Sequence, residues 1–296
     1  MELKFYIPFK VTSSVSGYES LLRLQNDLAG YHNKTIQLSF KNVTWLEANL
    51  TAIVGAVIED LENRKNKVKL IDCEIFHNKN DILSRNGFFP YYGVELNHNR
   101  YGSTQITYKK FKEKQSHEYN DFIQRELMNN SEFPRHSKRL GDKIKENIYE
   151  LFENARTHGK CKHIHTCGQF YPNKKKLHIT IVDTGHTIVN NVHHYLKKTL
   201  PPSACIDWAM KTGNTTKEGN IPGGLGLGLI FDFINVNRGK IQIVSSNGYW
   251  ELREGRITKE DLNFSFNGTI ANLEFDLSDN NTYLIIDEVV DLDNIF

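Results

Sequence analysis

Residues 140–159, LGDKIKENIYELFENARTHG, decide how the rest of the chain is read. Ile144, Ile148, Leu151, Phe152 and Ala155 recur at helical spacing, which predicts one amphipathic helix with a single apolar stripe. Asn147, Glu150 and Asn154 fall on a neighbouring polar stripe. Glu150 and Asn154 are four apart, so their side chains stand one turn above the other. A carboxylate and a carboxamide fixed in this way can act as a base and a metal ligand at one site. Alone the pair says little, because Glu and Asn at that spacing most often belong to a solvated helix face.

Later stretches change its weight. Residues 177–182, LHITIV, read as a strand that runs into Asp183-Thr184-Gly185. Then come Gly223-Gly224-Leu225-Gly226-Leu227-Gly228-Leu229 and an apolar run over 230–234. Gly268-Thr269 precedes a strand predicted over 270–277. With these residues in this order, residues 134–280 resemble the GHKL ATP-binding superfamily, which includes gyrase B subunits, ninety-kilodalton heat-shock chaperones, histidine kinases, MutL proteins and anti-sigma-factor kinases. The resemblance implies a two-layer α/β sandwich, a mixed sheet with helices on one face, and it implies ATP and Mg2+ as cofactors. It assigns Glu150 as general base and Asn154 as magnesium ligand. It places Asp183, Thr184 and Gly185 at adenine. Gly223, Gly224, Leu225, Gly226, Leu227 and Gly228 go to the phosphates, and Thr269 is also assigned to the nucleotide site. The chemistry agrees: glycines let backbone N–H groups approach phosphate, the following helix turns its positive end to the anion, and a strand-end Asp can accept the adenine amino hydrogens. In the family the adenine-binding segment that Asp183–Gly185 resembles often reads Asp-x-Gly-x-Gly; here the second Gly is Thr187, which reshapes that edge of the pocket. The polar segment 201–222 takes the place of a lid over ATP.

The 296 residues allow two domains of ordinary size. A net charge of +2 gives no strong pull toward nucleic acid or membrane. The opening MELKFYIPFK has no long apolar run, and no stretch approaches the roughly 20 apolar residues of a membrane span, so a cytoplasmic protein is expected. Cys73, Cys161, Cys167 and Cys205 are then read as free thiols. The run Cys161-Lys-His163-Ile-His165-Thr-Cys167 looks like a metal site. On a straight strand, however, its ligands spread over about 20 Å at roughly 3.3 Å per residue, so they are read as strand residues facing a helix or solvent.

Ahead of the ATP-binding region, strands predicted over 3–11, 35–40 and 67–71 alternate with helices over 18–28 and 46–61. LSFKNVTWLEANLTAIVGAVI, residues 38–58, resembles the strand–loop–helix of a STAS domain, but its helix start lacks the phosphorylated Ser of that family. The expected division is a STAS-like α/β domain over 1–102, a helical connection over 103–133, the ATP domain over 134–280 and an acidic, apolar tail over 281–296. Within the connection, a helix is expected over 112–128. His117 is rejected as a phosphoacceptor, since too few residues separate it from Asn154 for the two long helices such a hairpin needs. The first functional expectation is a slow Mg-dependent ATPase that switches a protein partner, with a homodimer left open. The alternatives are an anti-sigma-type serine/threonine kinase and an ATP-sensing module without hydrolysis.

Overall fold

A computed structural model describes residues 2–97, 104–211, 213, 214, 216 and 228–288. The N-terminal unit runs β1 (Glu2–Tyr6), β2 (Lys10–Val11), α1 (Val15–Asp27), β3 (Thr35–Ser39), β4 (Trp45–Leu46), a 3-10 turn at Ala48–Leu50, α2 (Thr51–Asn63) and β5 (Lys67–Ile71). Three short helices follow: α3 (Cys73–His77), α4 (Ile82–Arg85) and α5 (Phe88–Tyr91). β1, β3 and β5 form a parallel three-stranded sheet in that order, with Phe5 beside Leu38 and Leu38 beside Leu70. Glu2, Lys4 and Tyr6 face water on one side of it. The single helix expected over 46–61 is instead β4, the 3-10 turn and α2. α2 is apolar nearly all round and buried along most of its length. It can be so because it contacts β5 on one side and three strands of a second sheet on the other.

That second sheet comprises β6 (Gln105–Lys112), β7 (His163–Tyr171), β8 (Lys176–Asp183), β9 (Lys240–Arg253) and β10 (Arg256–Asp276), in the order β6-β7-β8-β10-β9. Its helices are α6 (Ser116–Ile123), α7 (Lys138–Asn154), α8 (Ile188–Leu196), α9 (Pro202–Met210) and α10 (Gly228–Val236). The chain is thus of mixed α/β class. Three expectations change. Every pairing in this sheet is antiparallel, so it is not mixed. The segment expected as a helical connection supplies the edge strand β6; its alternation is broken by a bulge between Ile106 and Lys109, which puts Ile106 and Tyr108 on opposite faces. Ser246-Asn247-Gly248, which reads as a turn in the sequence, instead runs on within β9 opposite bulges in β10 between Asp261 and Thr269, with Ser246 at φ +53°, and the hairpin closes at Glu254 and Gly255, both at positive φ.

Helices do not cover one face alone. On β8, Leu177, Ile179 and Ile181 pack into the core with α6, α7 and α10, while His178, Thr180 and Val182 point the other way. That other face is buried against α1, α2 and the 3-10 turn through a polar seam. The Asn49 amide nitrogen lies within hydrogen-bond distance of Ser13 Oγ, Thr180 Oγ1 and Asn272 Oδ1, at 3.0–3.1 Å. Tyr171 donates to Asn49 Oδ1, Tyr18 donates to Gln242 Oε1, and Gln242 and Lys240 donate to the Ser13 carbonyl. Where the tail begins, Tyr283 is fastened beside α7: its N–H donates to Arg135 O and its carbonyl accepts from Ser137 N, both at 2.9 Å.

Candidate functional site

α7 positions the first wall. Ser137 caps it by accepting from Leu140 N, and Ile144, Ile148 and Phe152 bury their side chains in the core. This turns Glu150 and Asn154 toward a cleft. After Asn154 the helical ladder widens into a π turn, Ala155–Gly159, which ends at Lys160 in the left-handed region. The wider turn carries Gly159 to the end of β8. A Cβ on Gly159 would lie 3.0 Å from Asp183 Oδ1, and one on Gly185 would lie 2.1 Å from Gly159 O. Backbone therefore meets backbone at this corner, and His186 N donates to Gly159 O at 2.6 Å.

Asp183 sits on the cleft floor at 5% exposure. Its Oδ1 accepts from Gly185 N at 2.9 Å. On its other side Gly268, at φ +148°, lies so close that a Cβ would fall 1.9 Å from the Asp183 carbonyl oxygen. Burial pushes the Asp183 carboxyl up to about 7, against the backbone N–H bonds from Gly185 and Thr269 that pull it down. Thr269, paired with Asp183 in register, completes the floor with Ile181, Ile243 and Ala271. α8 contributes Asn191 and Val192, and α9 contributes Trp208 and Met210. The cleft, its open mouth included, encloses about 1010 Å³ of empty space.

The structure thus brings Glu150, Asn154, Asp183 and Thr269 together. Gly185 stands behind Asp183 as a hydrogen-bond donor and a close backbone contact, with Thr184 beside it in the chain and outside the cleft lining. Gly223, Gly224, Leu225, Gly226 and Leu227 lie outside the described residues; Gly228 opens α10. Thr187, standing where a Gly was expected, is the N-cap of α8, and its Oγ1 accepts from Asn190 N at 3.1 Å. Residues 193–200 read as a short helix in the sequence, but this cap starts the helix earlier, at Ile188.

Sequence reasoning missed several supports. Asn147 accepts from Ile230 N at 2.8 Å and so pins the first turn of α10 to α7. It lies on the polar stripe three residues before Glu150, which was the available signal. Ser245 accepts from Ile188 N and bonds to Gly268 O and to Thr269 Oγ1, tying α8 to the floor strands. Thr216 pairs with His158 Nδ1 at 3.0 Å, and Asn191 donates to the His158 carbonyl; nothing local in the sequence marks either contact.

The run from Cys161 to Cys167 also finds its place. His163 and His165 face α2, where both meet Glu59, at 2.6 Å each. Cys161 and Cys167 are buried thiols, and burial pushes both up to about 12. No family model matches the chain, and no curated protein matches it in sequence.

Proposed function

We propose that the cleft binds ATP with magnesium and that the protein hydrolyses it slowly, as a nucleotide-driven switch on a protein partner. The observation that carries this reading is the placement of Asp183: a buried carboxylate on the floor of an otherwise largely apolar cleft, caged by Gly159, Gly185 and Gly268, with Glu150 and Asn154 on the adjoining wall. One Asp183 oxygen is committed to Gly185 N. Ionised Asp183 can then accept from an exocyclic amine, which selects adenine over guanine, whose equivalent group is itself an acceptor. The apolar floor residues Ile181, Ile243 and Ala271 suit a flat base.

Asn154 offers one amide oxygen beside Glu150. Among the described residues no group of three His, Cys, Asp or Glu side chains could hold a metal. This donor set fits a magnesium ion that arrives on the phosphates and takes its remaining ligands from them and from water. Bound there, magnesium would neutralise phosphate charge. Glu150, in this reading, takes the proton of a water attacking the terminal phosphorus, as the bond to the bridging oxygen breaks and ADP departs. In this reading residues 223–228 serve the phosphates, and Asn147 keeps the start of α10 fixed against α7.

Incubation with terminally labelled ATP and magnesium is the test. Released phosphate that depends on Glu150 supports the reading. Label on a protein serine or threonine would replace it with the kinase reading, binding without either would leave an ATP-sensing module, and no binding would end it.

A further inference from the structure

Beyond the ends of β1 and β3 the surface opens into a groove whose lining includes Tyr6, Pro8, Phe9, Lys41, Thr44 and Lys79. Its rings are well exposed, Phe9 at 63% and Tyr6 at 47%. Yet Phe9 stands on a fixed backbone. Its carbonyl accepts from Thr44 N at 2.8 Å and from Thr44 Oγ1 at 2.9 Å, and nearby Ile7 N donates to Ser39 O at 3.0 Å. A ring presented rigidly loses little freedom when covered, which favours it as a binding anchor. Lys41 and Lys79 supply positive charge at the rim. Asp72, the carboxylate that follows β5, is taken by Lys4 and Ser39. Apolar anchors with a positive rim complement an acidic segment that carries apolar side chains.

The chain itself contains such a segment. Residues 289–296, VVDLDNIF, combine Asp291 and Asp293 with Val290, Leu292, Ile295 and Phe296, and hold no basic residue. The segment departs from a fixed point, because Tyr283 is bonded to Arg135 and Ser137, and Glu288 accepts from Ser137 Oγ at 2.7 Å. Ile286 there is 79% exposed. This point adjoins α7, on one face of the five-stranded sheet, whereas the groove belongs to the small sheet beyond α1 and α2 on the other face. Stacked layers are about 10 Å apart, so roughly 30 Å separates them. Eight residues span at most about 28 Å fully extended, too little to pass round the molecule's edge. We propose that the groove receives residues 289–296 of a second copy, so that two chains exchange tails around a twofold axis.

A labelled peptide of sequence VVDLDNIF, titrated against the chain ending at Glu288, tests the groove. Binding should weaken at least tenfold in Phe9→Ala and in the Lys41→Glu, Lys79→Glu double variant, and should fall as salt rises. All three side chains are exposed, and circular dichroism would check that the variants remain folded. Sedimentation of the full chain should show a dimer that is lost on removal of residues 289–296 and in Phe9→Ala. Combining Lys41→Glu, Lys79→Glu with Asp291→Lys, Asp293→Lys should restore it. Equal peptide binding by the variants, no peptide binding, or a full chain that stays monomeric would each overturn the proposal. So would cross-links from tail to groove formed only within single copies.

Discussion

His165 lies with Nε2 2.6 Å from Glu59 Oε2, and this hydrogen bond joins the five-stranded sheet to α2 of the N-terminal unit. Burial lowers the pKa of His165 in spite of Glu59, so the ring is neutral and this nitrogen carries its hydrogen. Nδ1 must then accept. Tyr108 donates to it and Tyr92 donates to Tyr108, both at 2.9 Å, which gives the row a fixed direction. Gly55 makes room for it: a Cβ there would lie 2.1 Å from the Tyr108 hydroxyl.

Glu59 is held down to about 2: burial would raise it, but hydrogen bonds from His165 and His163 and the charge of Lys110 outweigh that. A carboxylate depressed in the folded state stabilises the fold above its unfolded pKa, and that contribution is lost as pH falls from about 4.5 toward about 2. Glu59→Gln should cost about 1–3 kcal/mol at neutral pH, because its amide meets another donor. Urea unfolding at a series of pH values should find a shallower acid loss in the variant. Identical curves would show that the bonds to His163 and His165 contribute nothing net.

The Asp183 carboxyl works in the opposite sense. Its folded pKa of about 7 lies above the ordinary 3.8, so the stability it lends is full below about 4 and gone once pH exceeds about 7. The melting temperature of the native chain relative to Asp183→Asn should therefore decline across that window in the absence of nucleotide. ATP affinity of the native chain should move the other way, rising through pH 7 as the acceptor ionises. Asp183→Asn should weaken ATP binding by about 5- to 150-fold, the cost of one mispaired buried hydrogen bond. Calorimetry that finds the two proteins equal would remove Asp183 from the adenine site.

Glu150 and Asn154 should separate under substitution. Glu150→Ala is expected to keep ATP affinity while losing about 10²- to 10⁴-fold in turnover. Asn154→Ala should instead weaken binding wherever magnesium is required. Unchanged phosphate release by Glu150→Ala would make Glu150 a structural helix residue.

Gly185→Ala should disturb the floor without touching nucleotide. Its added methyl would meet the Gly159 carbonyl at 2.1 Å, where neither partner is a flexible side chain. A loss of about 1–3 kcal/mol is expected, with ATP affinity falling as Asp183 shifts. A variant as stable as the native chain would mean that this corner relaxes freely.

The lid expectation rests on residues 201–222, of which 212, 215 and 217–222 fall outside the described residues. The exposed Lys211 lies just beyond α9, whose Trp208 and Met210 line the cleft. Tryptic cleavage after Lys211 should slow when an ATP analogue is present. The same rate in both states would argue that the segment does not close.

α7 and β8 were legible because each carries one clean period: Ile144, Ile148 and Phe152 for the helix, Leu177, Ile179 and Ile181 for the strand. The cleft residues followed from them. β6 was not legible, because its bulge disrupts the alternation of buried residues. The sheet's second face misled for another reason. His178, Thr180, Gln242, Asn272 and Glu274 alternate with apolar residues, the pattern of a strand with one side in water. All five are buried: the N-terminal unit answers His178, Thr180, Gln242 and Asn272 with hydrogen bonds or charges of its own, and Glu274 is met by Lys176, His178 and Lys240 beside it on the sheet. Periodicity reports polarity, and at this seam polarity and exposure part company.

The seam also makes the two halves of this chain unfit for free recombination. A greasy interface would accept many covers of similar shape, whereas Thr180 and Asn272 need the amide of Asn49, and Gln242 needs the hydroxyl of Tyr18. An unrelated α/β unit grafted onto this sheet would strand those groups in a dry place, each at a cost of about 1–3 kcal/mol. The N-terminal unit and the sheet beneath it are therefore matched as key and lock, and substitutions along their boundary must be inherited in pairs.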